Sequence, residues 1–550
     1  MQKILRILII IAILITAYLL ILAWRNDYIV NAPKTQTVVT ASEKNDVPTA
    51  SHGGDVPITA NQDSTVVVNE NNNELILVDT DRYEIKINPI GGDIVYASLK
   101  QYDEKLGSKE PLVLLENNNG RTYVAQSGLI GRDGIDTTSG RASFTSPKNH
   151  YQMNADGVLQ VPLIYQKDGI TITKTYTFKS GEYPILLSYN INNNSQTAWQ
   201  GQVYTQLKRD NSSDPGNENK GMMSMATYLG GAWGTPDSPY NKLKFKNFDS
   251  GELKAVSKDG WVAIVQHYFV SAWTPTNFEA TFYSRSSGQD YFIGFNSPQI
   301  DVPAGKQATL EATLYAGPKV QKELEKVAVG LNQTVDYGIL WPISKVLFAV
   351  LEGVHKLLGN WGWSIIVLTL LTKLALLWFS NKSYVSMAKM RAIAPKLQAL
   401  KDKFGDDRMG MSQAMMQLYR DEKVNPMAGC LPILLQMPIF LALYWTLVES
   451  VELRHAPWIL WIHDLSAMDP WFILPIFMGA TMFIQQMLNP QPADPMQAKM
   501  MKIMPLIFAV FMLFFPAGLV LYWTVNNLFS MAHQHIVNKH VEKQMAQKTA

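Results

Sequence analysis

Five apolar runs of near-membrane length crowd the last third of the chain, and a sixth occupies residues 4–24. Hydrocarbon offers no water to satisfy peptide groups, so each such run must close its own hydrogen bonds as a helix. About twenty apolar residues cross the roughly 30 Å core of a bilayer. The runs cover 4–24, 361–380, 427–448, 471–488, 497–514 and 518–536. The last two arise from one long stretch broken at FFPAG, Phe514 to Gly518, where Pro and Gly interrupt a helix or form a tight turn.

Charge orients the six spans. Lys3 and Arg6 precede the first run, which places the N-terminus in the cytoplasm. The run is too long for a signal-peptide core, and LILAWRND offers no convincing small-x-small cleavage site, so it reads as an uncleaved anchor. Residues 381–426 hold nine basic and five acidic side chains, whereas 449–470 carry Arg454 against Glu449, Glu452, Asp464 and Asp469. The tail carries Lys539, Lys543 and Lys548 against Glu542. Basic loops thus alternate with an acidic one, as six spans with both termini cytoplasmic require.

Between the first span and the rest the character changes. The whole-chain averages, 47% hydrophobic and a net charge of +2, conceal this division. Residues 31–72 are polar and poor in aromatics, the composition of a flexible linker. From 73 to 335 the pattern alternates with period two, as in ELILVDTDRYEIKINPIGGDIVYASLK and GITITKTYTFKSGEYPILLSYNIN, punctuated by Asn, Gly and Asp clusters. The predicted fold class is a polytopic α-helical membrane protein, six spans with five forming a core, carrying a large all-β sandwich domain outside the cytoplasm. His150 and His267 are scattered there, and no metal-ligand or paired-carboxylate spacing stands out. A sugar-binding sandwich and a docking or structural domain are the two readings of it.

Residues 339–358 place Leu340, Ile343, Leu347, Leu351, Val354 and Leu358 at helical spacing, with Lys345, Glu352, His355 and Lys356 largely elsewhere on the wheel. That predicts an amphipathic helix lying in the outer interface. Residues 381–426 read as a cytoplasmic hairpin of two helices joined at Phe404-Gly405-Asp406-Asp407 and stopped at Asn425-Pro426. Its excess positive charge suits anionic lipid headgroups or ribosomal RNA, or is ordinary flanking charge. Nineteen of the 24 methionines fall in 381–550. Flexible thioethers suit surfaces that accept many apolar partners, and they also fill cores. The single cysteine, Cys430, excludes an internal disulfide and reads as a small buried hydrophobe.

One residue is out of place. Lys373 lies inside IIVLTLLTKLALLWF, where a charge at mid-bilayer costs roughly 2.5–3.5 kcal/mol on insertion scales. In a helix over 361–379 it is roughly 9 Å from the cytoplasmic end. Snorkelling to the headgroups is one account. The other is a wet recess, because polar groups recur in other spans: Thr369 one turn earlier, Gln436 in LLQMPIF, and Tyr522, Trp523, Asn526 and Asn527 in LYWTVNN. Such groups face each other or water rather than lipid. A recess of that kind receives a short acidic segment and shortens the apolar distance it must cross.

The blocks NWGWSIIVLTLLTK, SMAKMRAIAPKLQALK, EKVNPMAGCLPILLQMPIFLALYW, SVELRHAPWILWIHDLSAMDP and FFPAGLVLYWTVNN resemble the YidC membrane protein insertase family of Gram-negative bacteria. The resemblance is dense over 340–540, spacing included. It implies an insertase and membrane chaperone of the bacterial inner membrane, not an enzyme, with its large domain periplasmic and of a shape similar to sugar-mutarotase folds. Hydrophilic segments of nascent membrane proteins would enter a positively charged groove, and their spans would pass into lipid, alone or beside the Sec translocon. Ribosome contact falls to the cytoplasmic loops and tail. The groove residues are then Lys373, Thr369, Gln436, Tyr522, Trp523 and Asn526, and the hairpin contacts Lys389, Arg391, Lys396, Met415 and Met416. Nascent membrane proteins, the Sec translocon, the ribosome and anionic lipids are the expected partners. No cofactor, metal or small-molecule substrate is expected. The family's groove cation is usually Arg, so Lys373 keeps the charge and loses the planar fork. Trp523 replaces the second tyrosine of an aromatic pair.

By this division residues 1–30 form an anchor, 31–72 a linker, 73–335 the sandwich, 361–537 the insertase core and 538–550 a basic tail. Two rival classes remain. A hydrolase would rest on His463-Asp464-Leu465-Ser466, which lacks HExxH or GxSxG context and reads better as a turn and N-cap before the next span. A coupled carrier would need an intramembrane acid to match Lys373.

Overall fold

The structure, a computed structural model, describes Pro48 and residues 74–137, 140–214, 227–251, 253–404, 407–422, 424, 431–489 and 495–549. The anchor, the linker save Pro48, Gly405, Asn425-Pro426 and Cys430 lie outside these. The described residues divide into two compact units between Val335 and Asp336.

The first unit is a two-sheet sandwich. Its larger sheet runs β13 (Ala255–Ser257), β16 (Ala280–Ser287), β17 (Asp290–Asn296), β10 (Trp199–Arg209), β5 (Arg121–Ile130), β4 (Pro111–Asn118), β3 (Asp93–Asp103), β2 (Tyr83–Asn88), β1 (Ile76–Asp79), β6 (His150–Gln152), with β18 (Ile300–Val302) also on β10; its smaller sheet runs β12 (Asn241–Leu243), β11 (Gly230–Gly234), β14 (Trp261–Val265), β15 (Phe269–Thr276), β19 (Lys306–Pro318), β9 (Pro184–Asn193), β8 (Ile170–Lys179), β7 (Val158–Lys167). The strands that the alternating runs predict are β1 (Ile76–Asp79), β2 (Tyr83–Asn88) and β3 (Asp93–Asp103), then β8 (Ile170–Lys179) and β9 (Pro184–Asn193). In β9 Ile185, Leu187, Tyr189 and Ile191 point inward and their neighbours outward, the pattern of a sheet with one buried face. β7 (Val158–Lys167) turns into β8 through Asp168-Gly169, both at positive φ, which a two-residue hairpin turn demands. One of the described pairings is parallel: β1 and β6 (His150–Gln152), Leu77 opposite His150.

Charge is buried between the sheets. Arg141 donates to both carboxylate oxygens of Asp93 at 2.8 and 3.0 Å and to Asp136 at 2.9 Å. Beside it, Lys174 on β8 is fully buried and donates to the carbonyls of Gly91 and Ser127 at 2.9 and 3.1 Å. Arg141 Nη2 also donates to both carbonyls, at 3.4 and 2.9 Å. Burial, opposed by Asp93 and Asp136 and reinforced by Arg141, pushes the Lys174 ammonium down to about 7. A short helix, α1 (Gln321–Val327), follows the last strand.

The second unit is helical: α2 (Trp341–Leu358), α3 (Trp361–Ala375), α4 (Leu377–Ala392), α5 (Ala394–Phe404), α6 (Arg408–Asp421), α7 (Leu431–Glu449), α8 (Ile473–Leu488), α9 (Pro495–Met512) and α10 (Ala517–Thr549). α2 ends in a Gly359 held at positive φ, whose N–H returns to His355 O, and Asn360 then caps α3 by accepting from Trp363 N. With its preceding turn, Gly338–Leu358 is long and apolar enough to cross a membrane. It packs Ser344, Leu347, Phe348 and Leu351 inward, and Ser344 Oγ donates to Ala442 O on α7.

Two expectations about helix limits are corrected. The span read as one helix to Phe379 breaks at Leu376, and α3 and α4 diverge by 68°. Leu376 has φ −94° and ψ 5°, outside the helical well, so the ladder stops there without Pro or Gly. Lys373 therefore sits in the last turn of α3. The hairpin is likewise not two helices: 381–392 continue α4, Ile393 repeats the same dihedral break, and only α5 and α6 flank the 404–407 turn. The FFPAG break separates α9 from α10, as read, but α10 runs on through the tail to Thr549. Its first N–H groups are satisfied by the loop that precedes α8, Ala517 N to Ala467 O and Gly518 N to Leu465 O.

Candidate functional site

α3 buries one stripe, Gly362, Ile365, Leu368, Thr369 and Lys373. That spacing carries Lys373 onto the face that packs against α10. The ammonium does not snorkel. Lys373 is 7% exposed, and its Nζ donates to Gln436 Oε1 of α7 at 3.1 Å and to Ser530 Oγ of α10 at 3.0 Å. The Gln436 amide is oriented by its other end, Nε2 donating to Tyr522 Oη at 2.6 Å and Asn526 Oδ1 at 2.8 Å. Ser530 donates its own proton to Asn526 O at 2.7 Å. Three helices therefore meet at one cation through neutral oxygens. Among the described residues no carboxylate forms an ion pair with Lys373.

Of the six predicted groove residues the network joins four: Lys373, Gln436, Tyr522 and Asn526. Thr369 is fully buried one turn before Lys373, but its hydroxyl donates to Ile365 O of its own helix. Trp523 points elsewhere. Its ring lies 4.7 Å from Phe440 and 4.9 Å from Phe508, centroid to centroid, and its buried Nε1 has no partner among the described residues. Asn527 reaches Thr481 on α8 at 3.3 Å. The residue that the sequence reading missed is Ser530. Its signal was present as the i, i+4, i+8 stripe Tyr522, Asn526, Ser530 along one helix face.

The outward faces of α8 and α9 carry Ile476, Phe477, Phe483, Ile484, Leu506, Ile507 and Val510 exposed. Contiguous exposed apolar surface of this kind suits lipid. In the hairpin, Lys389, Arg391 and Lys396 are exposed, with Lys396 paired to Glu422. Met416 is exposed and Met415 half-buried. The rival hydrolase motif is a turn: Ser466 N and Oγ both donate to Asp464 Oδ1, at 2.8 and 2.7 Å, and His463 is exposed. It does not cap the next helix. Asp469, three residues before the N-cap Phe472, accepts from Trp471 N, from the first-turn Leu474 N of α8 and from the Trp461 indole.

A two-sheet sandwich followed by an apolar helical unit with a buried cationic network defines a polytopic α-helical membrane protein carrying a large all-β domain. Family models described as the YidC periplasmic domain and the 60Kd inner membrane protein match residues 75–350 and 353–544. The chain belongs to the YidC membrane protein insertase family, whose setting is the inner membrane and whose β domain is periplasmic. A membrane protein insertase YidC of Stutzerimonas stutzeri (strain A1501) is 50% identical, over 98% of both chains. One of Pseudomonas entomophila (strain L48) is 49% identical, again over 98% of both. A solved structure described as an active YidC insertase with its first transmembrane domain resolved is 19% identical and covers 84% of this chain and 92% of its own, with a TM-score of 0.36.

Proposed function

We propose that the chain inserts nascent membrane proteins by receiving their hydrophilic, preferentially acidic, leading segments at Lys373. The observation that carries this is a buried ammonium held by neutral acceptors alone. A carboxylate that meets the ammonium gains a charge-assisted bond without displacing a resident anion. Lys373, Gln436, Tyr522, Asn526 and the adjoining Thr369 form the polar wall of a groove open to cytoplasm and lipid. Trp523, on the neighbouring face of α10 between Phe440 and Phe508, begins the apolar flank along which a span slides into the bilayer. The exposed apolar faces of α8 and α9 support that exit.

Six spans with both termini cytoplasmic complete the arrangement, supported by the alternation of loop charge. The exposed cations Lys389 and Arg391, with Lys396, and the thioethers Met415 and Met416 meet ribosome, anionic lipid and client segments at the cytoplasmic face. The protein acts alone or beside the Sec translocon, as insertase and chaperone, without small-molecule substrate or cofactor.

The test replaces Lys373 in a strain depleted of its own insertase and follows a single-span client with an acidic lead. Lys373→Ala is expected to impair insertion at least tenfold and Lys373→Arg to retain it. Insertion by the alanine variant at the unsubstituted rate refutes the reading.

A further inference from the structure

An ammonium has three N–H groups in tetrahedral array. Among the described residues two of those on Lys373 are used, by Gln436 Oε1 and Ser530 Oγ. Both acceptors are themselves locked. Gln436 turns its oxygen to Lys373 because its nitrogen is committed to Tyr522 and Asn526. Ser530 presents its oxygen because its proton is committed to Asn526 O, one turn back on α10. Fixing two N–H directions fixes the third. A guanidinium carries its own rigid fork, whereas an ammonium on a four-carbon stem has no direction until its acceptors supply one.

We infer that Ser530 is a positioning residue for insertion, aiming the remaining N–H of Lys373 at the arriving acidic segment. The inference rests on the receiving role proposed above for Lys373. Ser530 does not touch the client. At 3% exposed, and with its hydroxyl proton spent within α10, it has nothing to offer a carboxylate. Its effect passes through the ammonium. Without it, Lys373 keeps a single bond to α7 and swings about it, so the charge remains while its aim is lost.

The experiment uses the full chain in the depletion strain and two clients that differ only in the lead, one acidic and one with each Asp changed to Asn. The readout is the ratio of acidic-lead to neutral-lead insertion. Ser530→Ala is expected to lower that ratio about tenfold, the worth of one hydrogen bond to a charged group. Ser530→Cys keeps the volume with a weak acceptor and is expected to behave like the alanine variant. Ser530→Thr keeps the hydroxyl and its bond back along the helix, and is expected to retain the ratio. In a Lys373→Ala background, Ser530→Ala is expected to lower the ratio no further.

An unchanged ratio in both the alanine and cysteine variants overturns the inference. So does an equal loss for both clients, which is what a merely structural role produces, or a further fall in the double variant. If Lys373→Ala itself leaves the ratio unchanged, the receiving role fails and the inference with it. If Lys373→Ala removes the preference while the Ser530 variants keep it, the positioning role alone fails.

Discussion

Replacing Lys174 with methionine is expected to stabilise the sandwich at pH 7 and to do nothing near pH 10.5. An ordinary lysine titrates near 10.5, and burial between the sheets takes this one to about 7. Between those values the unfolded chain holds a proton that the folded chain has released, so stability rises with pH across the window. Below pH 7 both states are protonated and the full cost of burying the charge is present. The displacement, converted at 1.36 kcal/mol per pKa unit, sets a ceiling of about 5 kcal/mol. Removing the ammonium orphans little, because Arg141 Nη2 still donates to Ser127 O at 2.9 Å and, at 3.4 Å, to Gly91 O. Methionine fills a similar volume without charge. Proteolysis of the sandwich during urea unfolding, on the full chain in detergent, reads the midpoint at each pH. With a slope of roughly 2–3 kcal/mol/M, the variant's midpoint should exceed the parent's by up to about 2 M at pH 7 and converge on it by pH 10. A variant less stable than the parent at pH 7 refutes this. It would show that attraction to Asp93 and Asp136 outweighs burial.

Two further outcomes follow from packing. A Cβ on Gly362 would stand 2.1 Å from Cδ1 of Trp458, so Gly362→Ala is expected to cost about 1–3 kcal/mol through overpacking; a lowered thermal midpoint in detergent, with a smaller loss when Gly362→Ala is made in a Trp458→Ala background, checks it. Among the described residues α5 and α6 contribute no side chain to the buried clusters of the helical unit, so their amides are expected to exchange far faster than those of α3 or of α10 up to Ser530. Strong protection throughout 394–421 in exchange mass spectrometry contradicts that.

The strands were legible because a half-buried sheet imposes period two on its side chains, and the α9–α10 break because Pro and Gly announce themselves. The bend at Leu376 was not. Nothing in TKLALLWF marks it, since the break is one residue's dihedrals in a run that is apolar on both sides. Four members of the hydrogen-bonded network were legible because polar groups in several spans have few places to go but one another. The other two predicted residues expose the limit of that reasoning. Tyr522 and Trp523 are neighbours in sequence, and successive residues on a helix point about 100° apart. Only one of them can enter the network, and the other turns to Phe440 and Phe508. Thr369 shares the face of Lys373, yet a threonine in a helix can satisfy itself on the preceding turn, as its bond to Ile365 O does.

On the receiving role proposed for Lys373, the network around it must meet two opposed demands. While no client is present, a buried cation needs partners or its desolvation goes uncompensated. When a client arrives, the ammonium must still be able to bond its acid. A resident carboxylate would meet the first demand too well, because a client's acid would then have to break an ion pair to form one. Gln436 and Ser530 meet both. Each offers a neutral oxygen whose bond to the ammonium is weaker than a carboxylate's, and each is backed by α10, through Tyr522 and Asn526 or through Asn526 O. Those anchors hold both acceptors in place, so the remaining N–H keeps its direction toward a client's acid. The same logic predicts that placing an acid at Gln436 would stabilise Lys373 and impair insertion together, since the site would then carry its own substitute for the client.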